Sequence, residues 1–160
     1  FSCKKEQGEV PEKTATEESV DKHDKKAVLE KIDLSDCFKE SYKGDFNGSV
    51  ITMKFSEIKK IDEGAYKVVG SSIHKENEVP FSGELRIADL VNSVEKVSFK
   101  MSYNFHEDAA EHGSGRFAGY VLIDVPQKIG ALKTDRASAR FIGNYFFPGG
   151  KSAPCNFGLE

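Results

Sequence analysis

The sequence predicts an all-β fold, an eight-stranded antiparallel up-and-down barrel, with a two-sheet β-sandwich as the alternative. Three observations lead there: short segments in which apolar residues alternate, turn signals between those segments, and a glycine pattern that occurs four times. The eight predicted strands cover residues 37–46, 50–55, 65–73, 80–88, 95–105, 115–125, 136–147 and 152–157.

The glycine pattern reads aromatic, any residue, glycine, any residue, large apolar. Because alternate residues of a strand share a face, each copy puts a glycine between two large side chains on one side. Such a glycine leaves room for a sharp bend or a close neighbour, and barrels need both to close. The copies are Tyr42-Lys43-Gly44-Asp45-Phe46, Phe81-Ser82-Gly83-Glu84-Leu85, Phe117-Ala118-Gly119-Tyr120-Val121 and Phe141-Ile142-Gly143-Asn144-Tyr145.

Turn signals and alternation define the individual strands. Asn47-Gly48 is a strong signal for a type I′ hairpin turn between the first two strands. The fifth strand has the most regular alternation, with Val97, Phe99, Met101, Tyr103 and Phe105 in frame. With eight strands, the last can run antiparallel to the first and close the barrel.

Composition excludes some classes of protein. The 160-residue chain has 12 Phe, 14 Gly and no Trp, and its formal net charge is -3. The absence of a basic excess argues against a nucleic-acid partner. The sequence has no run of 18 apolar residues, so it predicts no membrane-spanning helix.

The first residues, Phe1-Ser2-Cys3-Lys4-Lys5, resemble the cleavage region of a bacterial lipoprotein, where a small residue precedes a cysteine that receives lipid. The resemblance implies that residues 1–3 are the end of a signal peptide with its lipidation site, that lipid on Cys3 anchors the protein to a membrane, and that the protein lies in the cell envelope. The location would be the periplasm or outer membrane, or the cell surface. The alternative is an ordinary cysteine near a terminus.

Residues 4–30 are interpreted as a charged, flexible tether, and residues 31–160 as the β-barrel domain. The stretch from 4 to 26 is dense in Lys, Glu, Asp and Thr, and it cannot bury enough apolar surface to offset its ordering entropy. A solvated helix within residues 17–29, over the second half of that range, is the alternative.

If Cys3 carries lipid, Cys37 and Cys155 remain. A lipoprotein domain lies outside the cytoplasm, where disulfides persist. The two cysteines flank the strand region, so barrel closure would place them side by side, and we expect a disulfide between them. The alternative is two separate buried thiols.

The strand number, the strand length and the Tyr42-Lys43-Gly44-Asp45-Phe46 opening resemble the calycin barrels, the group of the lipocalins and avidins. The resemblance implies a lumen that is filled by side chains or holds one small ligand. The missing Trp argues against biotin. The residues expected to line such a ligand site are Tyr42, Phe46, Met53, Phe81, Phe99, Met101, Phe117 and Phe141.

Two polar loops, 74–79 and 106–113, are separated by two strands and should therefore lie at the same end of the barrel. Their weak candidates for a metal site are His74, His106, Glu111 and His112. The spacing matches no metal-binding signature, so a solvated loop tip is favoured, and we expect neither a metal nor a cofactor. No nucleophile or phosphate-binding motif occurs, so we do not expect this protein to be an enzyme.

These observations favour a lipid-anchored extracytoplasmic binding protein whose barrel holds a small, partly apolar ligand. The alternative is a protein-interaction module, such as an inhibitor of a secreted hydrolase. A solidly packed lumen would count against the small ligand and for the interaction module.

Overall fold

The computed structural model describes residues 27–108, 115–129 and 131–158. The chain divides into two compact units, residues 1–32 and residues 33–160. In the first unit, the described residues 27–31 are helical. The described residues contain no helix with the length and apolarity that crossing a bilayer requires.

The second unit is a closed antiparallel barrel, which confirms the predicted fold class. Eight strands pair with their neighbours in the order β1, β2, β3, β4, β5, β6, β8, β9, and β9 pairs with β1. This last pairing closes the sheet and rules out the two-sheet sandwich. The strands are β1 Ser41–Phe46, β2 Ser49–Asp62, β3 Ala65–His74, β4 Asn77–Asn92, β5 Lys96–Glu107, β6 Arg116–Lys128, β7 Ala131–Leu132, β8 Ser138–Phe146 and β9 Ser152–Phe157.

Several strand limits differ from the predicted ones. Strands β2 and β4 are longer because irregularities in their pairing, such as the one between Phe55 and Glu57, let the strands bend and continue. The short strand β7 forms an extra hairpin with β6. The first strand starts at Ser41, because Ser35–Cys37 is a 3-10 helix.

The hairpin between β1 and β2 has the predicted turn. Asn47 and Gly48 have φ of 49° and 85°, so both central residues are left-handed as a type I′ turn requires. The β3–β4 hairpin has the same feature at Lys75 and Glu76, with φ of 49° and 71°. These residues are less suited to that region than glycine or asparagine, which explains why the sequence indicated only a polar loop.

The four pattern glycines lie where neighbouring strands approach each other closely. A Cβ on any of them would overlap a backbone carbonyl oxygen of an adjacent strand: Asn156 for Gly44, Asn104 for Gly83, Ile142 for Gly119 and Ala118 for Gly143. The predicted role of the pattern in close strand approach is therefore confirmed.

Aromatic side chains fill most of the barrel. Phe81 stacks on Phe105 with ring centroids 5.1 Å apart, and Phe141 stacks on Phe157 at 4.3 Å. Tyr42 packs edge-on against Phe141 at 5.4 Å. All five side chains are buried. The middle of the barrel therefore has no open lumen.

Residues 34–38 close the end of the barrel from which β1 starts. Leu34 is buried, and its backbone N–H donates to the Tyr66 hydroxyl at 3.0 Å. Phe38 packs against Phe55 and Phe141, with ring centroids 6.4 and 6.1 Å away. We call this end the closed end.

The predicted disulfide between Cys37 and Cys155 is wrong, because both are free, buried thiols. Cys155 pairs with Phe46, the last residue of β1, whereas Cys37 precedes the first residue, Ser41. The five residue steps of β1 span about 17 Å, and a disulfide needs Cα atoms within about 7 Å.

Candidate functional site

The end of the barrel opposite the closed end contains a cavity of about 350 Å³, which we call the cup. The alternation of β1, β3, β5 and β8 brings their last inward-facing side chains to this end. The turns at 47–48 and 75–76 and the loop 147–151 also lie there. The cup therefore exists because the aromatic packing of the barrel stops short of its rim.

Most of the cup wall is apolar. The rings of Phe46 and Tyr145 have centroids 5.2 Å apart, and Phe117 lies 4.8 Å from Tyr145. The apolar and aromatic side chains that line the cup are Phe46, Ile51, Val79, Phe117, Tyr145, Phe147 and Pro148. A concave, mostly apolar wall of this size is typical of small-molecule sites.

Glu107 brings a carboxylate into this wall. It continues the inward face of β5 two residues after the buried Phe105. The Ser72 hydroxyl donates to its Oε2 at 3.1 Å, and the Tyr145 hydroxyl donates to its Oε1. These two hydrogen bonds fix the position of the carboxylate from β3 and β8.

His74, at the end of β3, adds an unsatisfied polar atom. Its ring packs against Phe46 with centroids 5.0 Å apart, and its Nε2 is buried. Nε2 has no hydrogen-bond partner within the described ranges. A buried polar atom without a partner costs about 1–3 kcal/mol, so a ligand group that pairs with Nε2 would gain affinity.

The charge of Glu107 contributes to raised pKa values of two nearby groups, Tyr145 and Cys155. Burial raises the pKa of Tyr145 above its ordinary value, and the hydrogen bond to Glu107 and the charge of Glu107 raise it further. Burial raises the pKa of Cys155 to about 12, with smaller contributions from Asp45 and Glu107. Glu107 therefore adds to both upward pKa shifts, after the larger effect of burial.

Of the eight side chains predicted to bind a ligand, the structure brings two to the cup, Phe46 and Phe117. The other six are buried in the packed interior and do not line the cup. They are Tyr42, Met53, Phe81, Phe99, Met101 and Phe141. The inward direction of these side chains followed from the alternation, but the extent to which they fill the barrel did not.

The weak metal candidates do not assemble among the described residues. His74 lines the cup, but His106 lies on the exposed face of β5. Glu111 and His112 lie outside the described residues. Residues 27–108, 115–129 and 131–158 contain no group of three or more His, Cys, Asp or Glu side chains that could hold a metal ion.

The sequence reasoning missed Ser72 and Glu107 as site residues. The signal was present, because Glu107 extends the alternation of the fifth strand and Ser72 extends that of Tyr66, Val68 and Gly70. Glu107 falls in the predicted loop 106–113, where the alternation is not continued, whereas Ser72 falls within the predicted third strand, 65–73, and is not singled out there. His74 and Glu107, at the ends of β3 and β5, line the same cavity, so the described strand ends that lead into the 74–79 and 106–113 loops lie at one end of the barrel, as expected.

No protein-family model, curated protein or solved structure matches the chain.

Proposed function

We propose that this chain is a lipid-anchored extracytoplasmic binding protein whose cup holds a small, partly apolar molecule. The observation that carries this proposal is the cavity of about 350 Å³ at one end of an otherwise filled barrel. Its volume falls within the usual range for small-ligand sites. The packed middle of the barrel counts against a ligand held deep in the lumen, so the proposal restricts the ligand to the cup.

The polar groups of the cup support a ligand with at least one hydrogen-bonding group. Glu107 and His74 Nε2 lie in an apolar wall, and Nε2 has no partner in the described part of the chain. A few placed polar groups in an apolar wall fix the orientation of a ligand.

The anchoring part of the proposal is supported by Ser2-Cys3-Lys4 and the charged stretch after it, which lie outside the described residues. A Cys3→Ser variant expressed in the native host should leave the detergent phase in a phase-separation assay. Unchanged partition of the variant would contradict lipid anchoring.

The ligand can be tested by native mass spectrometry of protein purified from its own host. We expect an additional mass that is lost on denaturation. Val79→Trp, which places a large ring in the cup, should remove that mass. Ser82→Trp on the exposed face of the same strand is the matched control and should retain it. No additional mass, or one that survives Val79→Trp, would contradict the proposal.

The second candidate function is a protein-interaction module. It is favoured by exposed apolar side chains near the closed end, where Val94 and Ile129 are 92% and 97% exposed. Gln127 joins their two segments, because its backbone N–H donates to Glu95 O at 2.9 Å. A partner captured from the host by the native chain but not by a Val94→Asp variant would support this function, and equal capture would count against it.

A further inference from the structure

The cup combines aromatic rings with a carboxylate that has no cationic partner among the described residues. The rings of Phe46, Phe117, Tyr145 and Phe147 line its wall together with Glu107. This composition indicates which ligand charge the cup prefers. The inference rests on the proposed function as a small-ligand binding protein.

The rings meet at steep angles. Tyr145 and Phe147 are nearly perpendicular, with an interplanar angle of 89° and centroids 4.9 Å apart. Phe46 lies at 73° to Tyr145 and at 61° to Phe147. The face of an aromatic ring carries negative electrostatic potential, so a ring of the cup wall attracts a cation that lies over its face.

Glu107 can accept further hydrogen bonds. An ionised carboxylate has about four acceptor positions, and the hydroxyls of Ser72 and Tyr145 occupy two. Glu107 takes part in neither of the ion pairs Arg86–Glu84 and Lys96–Asp124. The charge of Glu107 is therefore uncompensated by these residues.

An anionic ligand would be repelled by this carboxylate. A neutral ligand would exclude water from the carboxylate without supplying an opposite charge, which is unfavourable in a partly buried site. Glu107 also contributes, after burial, to the raised pKa values of Tyr145 and Cys155.

We infer that the cup selects an organic cation, an ammonium group carried on an apolar body. The ammonium group lies between the Glu107 carboxylate and the aromatic faces, where a charge-assisted hydrogen bond and cation–π attraction act together. The imidazole tautomer with its proton on Nδ1 leaves His74 Nε2 free to accept a second ligand N–H. The apolar body fills the remainder of the cup, against Ile51 and Val79.

Three probes with the same phenyl body separate charge from shape: 2-phenylethylamine, 2-phenylethanol and 3-phenylpropanoate. Binding is followed by methyl NMR of the folded full-length chain at neutral pH. Methyl groups of Ile51 and Val79 report on the cup, and those of Val121 and Ile123, which are fully buried, report on the filled interior.

We expect the amine to shift the cup methyls and to bind about 10- to 100-fold more tightly than the alcohol or the acid, as for one hydrogen bond to a charged group. Glu107→Gln should abolish this preference. Glu78→Gln removes a charge from the exposed face of β4 near the same end and should preserve it. Unchanged Val121 and Ile123 shifts show that each variant is folded.

Equal or tighter binding of the alcohol or the acid at the cup would overturn the cation inference while leaving the small-ligand function intact. An amine preference that persists in Glu107→Gln would overturn it in the same way. If none of the probes shifts the cup methyls at about 10 mM, well above a millimolar dissociation constant, both the inference and the proposed function fail.

Discussion

The hydroxyl of Tyr145 on β8 donates a hydrogen bond to Glu107 on β5. These strands are not neighbours, because β6 pairs with both of them. The contact therefore reaches over β6 on the inner face of the sheet and holds the carboxylate inside the cup. Ser72 supports the same carboxylate from β3, so β3, β5 and β8 together fix the one acidic side chain that lines the cup among the described residues.

Tyr145→Phe removes this hydrogen bond while keeping the ring. We expect the variant to lower the free energy of unfolding by about 1–2 kcal/mol, near the lower end for hydrogen bonds to charged groups because the site is partly open. Chemical denaturation measures the change. Tyr120→Phe is the control, since Tyr120 is exposed and its contact with Lys100 uses the ring face. Equal stability of the two variants would contradict the structural role of the Tyr145–Glu107 contact.

Because neighbouring strands approach closely at the pattern glycines, we predict that adding one methyl group there strongly lowers the free energy of unfolding. In Gly83→Ala the new Cβ would overlap Asn104 O, so we expect a loss of about 3 kcal/mol or more in the free energy of unfolding, at the upper end for overpacking. Gly149→Ala is the control, because Gly149 has φ of 102° but open space around it. That variant should lose about 1–2 kcal/mol from backbone strain alone. A smaller loss for Gly83→Ala than for Gly149→Ala would be incompatible with the observed strand spacing.

The two buried cysteines predict slow thiol chemistry in the folded protein. Burial raises the pKa of Cys37 and of Cys155 from 9.0 to about 12, so both thiols stay protonated at mildly alkaline pH. In a Cys3→Ser background, a thiol reagent at about pH 8 should label the native protein negligibly, because the thiolate is the reactive form.

Unfolding without reductant should then expose two reactive thiols per chain, Cys37 and Cys155. Labelling should increase on unfolding because the folded state raises the pKa of both thiols. The unfolded chain regains the ordinary thiol pKa and therefore contains more thiolate at the same pH. An unfolded chain that remains unlabelled until reductant is added would show the disulfide that the structure lacks.

The barrel could be predicted from the sequence because its signals are local. Alternation in the fifth strand, the Asn47-Gly48 turn and the glycine pattern each depend on a few consecutive residues, and the structure confirms them. Because two predicted strands separate the segment that contains His74 from the segment that contains Glu107, both residues could be placed at the same end of the barrel.

The disulfide and the site depend on information that is not local. Whether Cys155 lies near Cys37 is decided by the register between β9 and β1, which pairs Cys155 with Phe46 instead. Similarly, alternation showed that Phe141 points inward, but not that it stacks on Phe157 and fills the lumen. The cup is the space left over by that packing, so its lining could not be separated from the core by sequence pattern alone.

The central claim is that a small molecule occupies the cup and no other part of the barrel. Methyl NMR tests it directly by comparing protein purified from its own host with the same protein after denaturation, removal of bound molecules and refolding. We predict that the methyl resonances of Ile51 and Val79 move between the two samples, while those of Val121 and Ile123 stay in place. Identical spectra, or changes centred on Val121 and Ile123, would contradict the claim.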